Sequence, residues 1–589
     1  MSEARQLIVL FTVIFIIGVA GYFAAAHIPY SGDLIVESYD ASFSSEGYLT
    51  ETYLFDVGIS GRYSMLFRVW KAPLIAPDGE DMDRPHIKVS NISCPEGATP
   101  YVKDHAGKVW ATDGSMHVVG EKAYDNEAGC YFSGMYRGGI HTISASYWIN
   151  PSVECDDSLC RLNLMLADEH IPYRNVKIVL PDTSIVKVFP HPPDFSVSKS
   201  SGRLVISGKS PENGLIEIEL LMKRSEEFKF LTLSKEVERE TVSYNSMYSN
   251  IYLLLSALKY ILLPVVLGFP VILYLFYRKH GTEKEFMVPV YLSFVPGKRK
   301  PWFVNLVFRK DAFDFDENGF YATLLDMQKR EYVMIETFVD KKKNEVKITL
   351  LKNPEDADDP YEKDVLSFLK DWSVDGVFET QKFKEMLKSI STERENIISL
   401  KTRMDNIMRK AYPEYADELV VGGRRIFFII SGASALAAFM FNSNYSGMYP
   451  ILGEIAIYSG TLAVQSAIIA FLTPSTLFGR WKGEYYKEKL EWDSFRKFLS
   501  DMAIMKKYLP EDVVIWKDWL IYGTALGVGE NVIKAMNALN VDIPEVRTAP
   551  FVYISFQSVN SSVASTFSAA TGGGGGAGGG FGGGGAGGR

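Results

Sequence analysis

Four long apolar segments constrain the fold of this 589-residue chain more than any other feature. A helix needs about 20 residues to cross the hydrocarbon core of a bilayer, and a chain inside that core must satisfy its own backbone hydrogen bonds. The sequence therefore predicts a membrane-anchored, multidomain α+β protein with about four transmembrane helices, at residues 6–26, 251–277, 426–441 and 451–472.

The first and third apolar segments each leave an alternative open. Residues 1–27 are predicted to be a retained signal-anchor helix, because the apolar run exceeds the roughly 7–15 residues of a signal-peptide core. The competing interpretation is a cleaved signal peptide, with Ala24–Ala26 as a small-residue cleavage site. Residues 425–473 are predicted to form a transmembrane hairpin, but its first arm is short, so a re-entrant segment is the alternative.

Basic residues beside these segments predict the orientation of the chain. Arg278–His280 follow the second segment, Arg424 and Arg425 precede the hairpin, and Arg480 and Lys482 follow it. Such residues collect on the cytoplasmic side of membrane proteins. We therefore expect a multi-pass protein of the cell membrane, with one region outside, residues 28–250, and two regions in the cytoplasm, residues 278–424 and 474–589.

The cysteines and the glycosylation sequons fit the same topology. All four cysteines lie in the segment predicted to be outside, where an oxidising compartment permits disulfides. The simplest pairing is Cys94–Cys130 and Cys155–Cys160, although four cysteines allow three pairings. The spacing of cysteines and histidines does not indicate a metal site. Asn91 and Asn444 begin sequons on predicted outer faces and are the glycosylation candidates.

The exported region, residues 28–250, alternates apolar and polar residues in short runs such as "YLTETYLFDV" and "NVKIVLP". This period is typical of half-buried strands, and turn residues separate the runs. The pattern predicts an all-β, sandwich-like region of two modules that divide near residues 150–175.

The first cytoplasmic region, residues 278–424, is predicted to be a winged-helix-like α/β domain. A helix containing Leu324 and Leu325 precedes two strand-like runs, "YVMIETF" and "VKITLL", joined by a charged turn. Acidic and basic residues are about equally frequent here, so the counterion release that drives DNA binding is weak. We expect this domain to bind a protein and no nucleic acid.

The C-terminal part is predicted to be a cytoplasmic helical region, residues 474–549, and a disordered tail, residues 550–589, that is glycine-rich from residue 572. The segment "WLIYGTALGVGENVIKAM" is too short in its uncharged part to cross a membrane and lacks the third glycine of a nucleotide-binding loop. It is instead predicted to be a packed helix pair, with six residues as its signature: Trp516, Trp519, Tyr522, Gly523, Ala525 and Gly527.

Three polar residues lie within the predicted membrane helices, where such residues are candidates for a function. Lys259 and Glu454 are near the outer ends of their helices, and Gln465 is deeper. Lys259 can extend its charge to the membrane surface. The alternative is an ion pair between Lys259 and Glu454 that joins two helices.

Several segments together resemble the YciQ-like predicted membrane proteins, a family of unknown function. The resemblance covers nearly the whole chain and departs at Gln328 and Glu331, where the family has a small residue and glycine. It implies an envelope protein of prokaryotes without established catalytic residues, whose partners include other envelope proteins. The matching segments are "YDASFSSEGYLTETYLFDVGISGRYSMLFRVW", "ISASYWI" with "IPYRNVKIVLP", "GFYATLLDMQKREYVMIET" and "WKDWLIYGTALGVGENVIKAM".

The sequence favours a scaffold or sensor over an enzyme. The motifs of serine hydrolases, nucleotide-binding loops and zinc proteases are absent from the sequence, so we assign no catalytic residue, cofactor or metal. The leading hypothesis is an integral membrane protein of the cell envelope that links an exported β-domain to a cytoplasmic protein-interaction domain. The alternatives are a membrane-anchored transcriptional regulator that uses the winged helix, and an envelope hydrolase.

Overall fold

The computed structural model describes residues 3–571, except residues 45, 113, 225–228, 341–342, 391–392, 446, 508–512 and 542. The described chain forms two compact units. The first comprises residues 3–271 and 429–467, and the second comprises residues 272–428 and 468–571. The predicted glycine-rich tail, from residue 572, lies outside the described residues.

The helices of the described residues include four that are long and apolar enough to cross a membrane, as the sequence predicts. These four are the first, third, ninth and tenth along the chain. In chain order the helices are α1 (Glu3–His27), α2 (Met116–Lys122), α3 (Val237–His280), α4 (Pro301–Phe308), α5 (Glu317–Lys329), α6 (Pro360–Asp371), α7 (Thr380–Ser389), α8 (Arg394–Arg409), α9 (Arg424–Ser443), α10 (Ile451–Leu472), α11 (Tyr485–Ser500), α12 (Met502–Met505), α13 (Val513–Ala525), α14 (Gly529–Ala538) and α15 (Pro544–Thr571).

Most of the strands of the described residues form one long series before α3, and fewer follow it. In chain order they are β1 (Leu34–Phe43), β2 (Tyr48–Val57), β3 (Met65–Val69), β4 (Leu74–Ile75), β5 (His86–Ser93), β6 (Thr99–Lys103), β7 (Val109–Ala111), β8 (Glu127–Tyr131), β9 (Gly139–Asn150), β10 (Ser152–Cys155), β11 (Leu159–Ala167), β12 (Tyr173–Pro181), β13 (Ile185–His191), β14 (Ser196–Ser200), β15 (Arg203–Ser210), β16 (Ile216–Lys223), β17 (Phe230–Leu233), β18 (Val333–Asp340), β19 (Lys343–Leu350), β20 (Val377–Glu379), β21 (Val420–Val421) and β22 (Arg480–Trp481). We call Leu34–Leu233, which contains β1 to β17, the β region.

The β region contains three sheets around a large apolar core, and a smaller cluster of Met65, Tyr101, Val119 and Ala123 lies apart from it. The eight-stranded sheet has the order β14-β15-β12-β1-β2-β9-β5-β4, the five-stranded sheet β13-β16-β11-β10-β17, and the four-stranded sheet β3-β8-β6-β7. Along β2, buried residues alternate with more exposed ones, because successive side chains point to opposite faces of a strand.

The predicted division of this region into two modules near residues 150–175 is wrong. Strand β12, which belongs to the second predicted module, pairs in parallel with β1 of the first, so that Tyr39 lies opposite Val176. The largest sheet and the apolar core therefore contain strands from both sides of the predicted boundary. Alternation predicts that a run is a strand, but it does not predict which distant strand will be its neighbour.

The predicted exported β region also ends earlier than expected. It was predicted to extend to residue 250, but its last strand ends at Leu233 and α3 begins at Val237. Helix α3 contains 44 residues, of which only the later part is continuously apolar. Its first turns bury Val237, Thr241 and Asn245 on one side and expose Glu238 and Glu240 on the other, and they continue without a break into the apolar part.

The second unit has a separate apolar core built mainly from helices. Helix α4 is buried along its whole length. Helix α5 begins at Glu317 and is capped by Asp316, whose side chain accepts a hydrogen bond from the backbone nitrogen of Asn318. The hairpin of β18 and β19 follows α5, and β20 adds a third strand beside β19. Glu331, at the end of α5, has φ of 58°, a conformation that glycine adopts most easily.

The packing signature near the C-terminus forms helices α13 and α14. Trp516 and Trp519 are fully buried, and a Cβ on Gly523 would lie 2.9 Å from a methyl group of Val532, so α13 and α14 pack closely at that glycine. Gly527 does not share this role. It is exposed between the two helices, with φ of 75°, and a Cβ there would meet its nearest atom at 3.8 Å, so the predicted close packing at Gly527 is wrong.

The prediction of a disordered tail from residue 550 is wrong for residues 550–571. These residues belong to α15, which contributes Val552, Phe556, Val559 and Val563 to the core of the second unit. The ring of Phe556 stacks on that of Phe378, with 5.8 Å between centroids. The prediction assigned this segment to the same tail as the glycine-rich residues that follow it, but its apolar residues recur with the period of a helix and form one buried face.

In the second unit, the start of α9 and the end of α10 are joined at a tight crossing. Arg424 donates from Nε to the carbonyl oxygen of Thr473 at 2.6 Å, and Asp311 accepts hydrogen bonds from the backbone nitrogen and hydroxyl of Ser475 at 2.7 and 2.9 Å. A Cβ on Gly479 would overlap the carbonyl oxygen of Val421. The backbones therefore approach each other more closely than any side chain at Gly479 permits.

Candidate functional site

Helix α3 is bound to the β region by a cluster of polar side chains near the start of the helix. His191, the last residue of β13, has its Nε2 atom 2.7 Å from Asn245 Oδ1 on α3, and its Nδ1 atom 3.1 Å from Glu217 Oε2 on β16. Asn245 Nδ2 donates to Glu219 and to the carbonyl oxygen of Thr241. We call the set of His191, Glu217, Glu219 and Asn245 the junction.

The hydrogen bonds of the junction are fully satisfied only when His191 is charged. Asn245 donates two hydrogen bonds from Nδ2, so its Oδ1 atom is the one that faces the imidazole. Both ring nitrogens of His191 therefore face acceptor oxygens, and only an imidazolium ion donates from both. Burial alone would lower the pKa of His191, but its hydrogen bonds to Glu217 and Asn245 and the charges of Glu217 and Glu219 raise that pKa above 6.5.

The pKa of Glu217 moves in the opposite direction. Burial raises it, but hydrogen bonds from His191 and Asn163 and the charges of His191 and Arg161 lower it below 4.5. A raised histidine pKa contributes stability that is lost as the pH rises through it, and a lowered carboxyl pKa contributes stability that is lost as the pH falls through it. The junction is therefore most stable between pH 4.5 and pH 6.5 and weakens at higher pH.

The loop between α9 and α10 binds the same part of the first unit. Tyr248 of α3 packs its ring against His191, with 4.6 Å between ring centroids, and donates its hydroxyl to the carbonyl oxygen of Met448 at 2.6 Å. The backbone nitrogen of Leu215 donates to the carbonyl oxygen of Gly447 at 2.8 Å. The β region, α3 and the hairpin loop therefore meet at Tyr248 and at the junction.

Farther along α3, the structure brings together two polar residues that the sequence singled out. Lys259 Nζ of α3 lies 2.7 Å from Glu454 Oε2 of α10. The two side chains are 23% and 15% exposed, so the pair is largely removed from solvent. This ion pair ties the helix that carries the junction to the second arm of the hairpin.

Reversing one charge of this pair, in Lys259→Glu, is expected to lower the free energy of unfolding by about 2 kcal/mol, less than for a fully buried pair. The variant places two carboxylates together between apolar helices. Exchanging both charges, in Lys259→Glu with Glu454→Lys, is expected to restore most of the loss. Thermal unfolding of the full-length protein in detergent measures both effects, and a double variant as unstable as the sum of the single ones would contradict the ion pair.

The third intramembrane polar residue, Gln465, joins three helices. It is completely buried and donates from Nε2 to the carbonyl oxygens of Ile14 on α1, at 2.9 Å, and Val266 on α3, at 3.0 Å. Glycine lets α1 approach here, because a Cβ on Gly18 would lie 2.8 Å from the carbonyl oxygen of Val266. Small residues and interhelical hydrogen bonds of this kind hold membrane helices together.

The other predicted site residues lie away from the junction. Asn91 and Asn444 are exposed, the former on β5 and the latter just after α9. Disulfide bonds join the four cysteines of the β region as Cys94 with Cys130 and Cys155 with Cys160. In the described part of the chain, no group of three or more histidine, cysteine, aspartate or glutamate residues is arranged to hold a metal ion.

The junction residues were not predicted from the sequence. His191 and Asn245 are 54 residues apart, and neither belongs to a recognisable motif. A usable signal was the periodic polar face of residues 241–252, which continues directly into an apolar span. Because that polar face was assigned to the β region, its helical period was not considered.

Two family models match the chain. The model described as "Predicted membrane protein (DUF2207) N-terminal domain" matches residues 36–222, and the model described as "Predicted membrane protein (DUF2207) C-terminal domain" matches residues 288–536. No curated protein matches the chain. The first match lies within the β region, the second lies in the region after α3, and together they cover most of the chain. The chain therefore belongs to the DUF2207 family of predicted membrane proteins.

Proposed function

We propose that this membrane protein is a scaffold or sensor of the cell envelope, which links an exported β region to a protein-binding unit in the cytoplasm. The observation that carries the proposal is the junction, because it attaches the β region to the helix that continues as a membrane span. Helix α3 is a single element of 44 residues, or about 66 Å, from Val237 to His280. A displacement of its first turns is expected to shift the part of the span that precedes Pro264, the first of its two internal prolines.

The proposed orientation has two independent supports. Arg278–His280 end α3, and Arg424 and Arg425 begin α9, which favours the cytoplasm for those ends. Both disulfide bonds lie in the β region, which favours an oxidising compartment for that part of the chain. In this orientation the N-terminus is cytoplasmic, and the junction lies on the outer side of the membrane.

An apolar surface supports protein binding by the cytoplasmic unit. Between α3 and α4, four large apolar side chains are exposed: Met287, Val290, Tyr291 and Phe294, with Met287 fully exposed. Their closeness in the sequence favours a single exposed apolar patch, which is the kind of surface that marks protein interaction sites. The order of helix α5 and the hairpin of β18 and β19 is consistent with the winged-helix-like domain that we propose, and the mixed charges of this part favour a protein over DNA.

Hydrogen exchange of the full-length protein in lipid nanodiscs tests the proposed link. His191→Phe keeps a ring against Tyr248 but removes both hydrogen bonds of the imidazole. Measured at pH 6, it is expected to increase exchange in the first turns of α3 and to change exchange in residues 287–350 of the second unit. The same comparison at pH 8 is expected to show a smaller difference, because a rise in pH through the pKa of His191 removes the charge that its two hydrogen bonds need.

His117→Phe is the matched control, since His117 is an exposed histidine of the same region, with a side chain 82% exposed. It is expected to leave exchange unchanged at both pH values. If His191→Phe altered exchange only within the β region and α3, the junction would be a local stabilising contact and the proposed link would be incorrect.

A further inference from the structure

The β region contains a cavity of about 600 Å³ that is separate from the junction. It opens beside β3, and residues 168–173 and 212–213 form its other wall. Apolar side chains cover much of its surface, among them Leu34, Phe55, Leu66 and Ile171. Cavities of this size and character are typical of sites for small organic ligands, which also need a few polar groups to fix their orientation.

Arg68 supplies the positive charge of this cavity. Its side chain is only 12% exposed and lines the cavity, with the guanidinium 3.9 Å from the ring centroid of Trp70. Burial opposes its charge, but Glu51 and the neighbouring tyrosines raise the pKa of Arg68 above its ordinary value, so the guanidinium stays charged. The charge of Arg68 also adds to the effect of burial, which lowers the pKa of His170 in the cavity wall.

The hydrogen-bonding capacity of Arg68 is largely unused within the described residues. Its Nε atom is buried without a hydrogen-bond partner, and one terminal nitrogen donates to the carbonyl oxygen of Val69 at 3.1 Å. Oε2 of Glu51 lies 3.6 Å from Nε of Arg68, which is beyond hydrogen-bond distance. Both oxygens of Glu51 already accept hydrogen bonds, from Tyr39 at 2.6 Å and Tyr53 at 2.8 Å. Glu51 therefore balances the charge of Arg68 without occupying its donors.

The mouth of the cavity has the opposite charge. Asp168, Glu169 and Glu212 line it, together with Lys71, which forms ion pairs with the first two. Three acidic side chains against one lysine leave an excess of negative charge at the opening. A ligand that fits this distribution carries a negative group at its inner end, an apolar body, and a positive group at its outer end.

We propose that this cavity binds a short peptide, with its C-terminal carboxylate at Arg68, an apolar C-terminal side chain against the cavity wall, and its amino group near Asp168 and Glu169. Carboxylates pair with guanidinium groups through charge-assisted hydrogen bonds. The buried Nε atom of Arg68 faces Glu51, so the terminal nitrogens of this cavity-lining guanidinium are the donors for the carboxylate. The site uses none of the junction residues, so the inference does not depend on the proposed function.

Calorimetric titration of the full-length protein in nanodiscs with the tripeptide Ala-Ala-Phe tests the proposal. Binding is expected to weaken at least about tenfold when the carboxylate is converted to an amide, since the charge-assisted pair with Arg68 is lost. Acetylation of the amino group is expected to weaken binding about two- to fivefold, because the acids at the mouth are exposed to solvent.

Two variants and one control complete the test. Arg68→Met removes the proposed carboxylate partner, but it leaves Glu51 buried without a compensating charge and can therefore destabilise the β region. A second single variant, Val69→Trp, keeps Arg68 and fills the mouth of the cavity from an exposed position. Both are expected to abolish binding, whereas Arg62→Met, at an exposed arginine of the same region, is expected to bind normally. Equal binding of the acid and the amide, unchanged binding by Val69→Trp, or no binding up to about 1 mM peptide would each overturn the proposal.

Discussion

Replacing Gly479 by alanine is expected to destabilise the second unit by about 3 kcal/mol, a large part of the stability of an ordinary domain. The added Cβ would overlap the carbonyl oxygen of Val421 and lie 2.8 Å from the backbone nitrogen of Gly423. Because both atoms belong to the backbone, no side-chain rotation relieves the overlap. The crossing that joins α9 and α10 would have to open. Thermal unfolding of the full-length protein, with limited proteolysis to follow cleavage within residues 290–571, measures the loss of stability.

Gly432→Ala is the matched control for this substitution. Gly432 lies within α9, and a Cβ there would have no neighbouring atom within 4 Å. Alanine is favoured over glycine inside a helix by roughly 0.5–1 kcal/mol, so the control is expected to be neutral or slightly stabilising. Gly423→Ala is expected to behave like Gly479→Ala, since its Cβ would overlap the backbone of Phe478. An unchanged melting temperature for both Gly479→Ala and Gly423→Ala would contradict the close backbone crossing.

Removal of the Cys94–Cys130 disulfide is expected to cost the β region about 4 kcal/mol, against about 2 kcal/mol for Cys155–Cys160. The difference follows from sequence separation, which is 36 residues for the first pair and 5 for the second. A longer closed loop removes more conformational freedom from the unfolded chain. Chemical unfolding of the double-alanine variant of each pair, followed by fluorescence of the full-length protein, measures both losses.

The two disulfide variants control for each other, because both remove a pair of cysteines from the same region. Cys94 and Cys130 connect two sheets, whereas Cys155 and Cys160 face each other across the hairpin of β10 and β11. A larger loss for the short loop than for the long one would contradict the loop-closure argument. Mobility of the wild-type protein on non-reducing gels gives a separate check that both bonds form.

The sequence predicted those elements whose structure depends on a local pattern of residues. The four apolar helices follow from segment length and composition, and Asp316 caps α5 as an aspartate at a helix start is expected to. The strands of the β region follow from alternation along short runs. In each case the deciding interactions lie within one element or with the solvent around it, and adjacent residues are enough to predict them.

Errors occurred where distant parts of the chain decide the outcome. The parallel pairing of β1 with β12 merged two predicted modules into one sheet. Apolar side chains of α15 are buried in the core of the second unit, although the sequence of α15 is rich in serine and small residues. Helix α3 begins before its apolar run, because His191 and Glu219 of the β region are hydrogen-bond partners for Asn245 in its polar first turns. The periodicity of a segment does not predict which distant segments will contact it.

The sequence by itself determined that this is a membrane protein of the DUF2207 family, with a cysteine-containing β region and helices long enough to cross a bilayer. Bilayer thickness and strand alternation impose those patterns on neighbouring residues. Only the tertiary structure decided which polar groups meet. The side chain of Gln465 donates a hydrogen bond to the carbonyl oxygen of Ile14, which is 451 residues away in the sequence. Arg68 lines a cavity whose other wall includes residues 168–171. Contacts of this kind depend on the three-dimensional path of the backbone, and no local pattern encodes them.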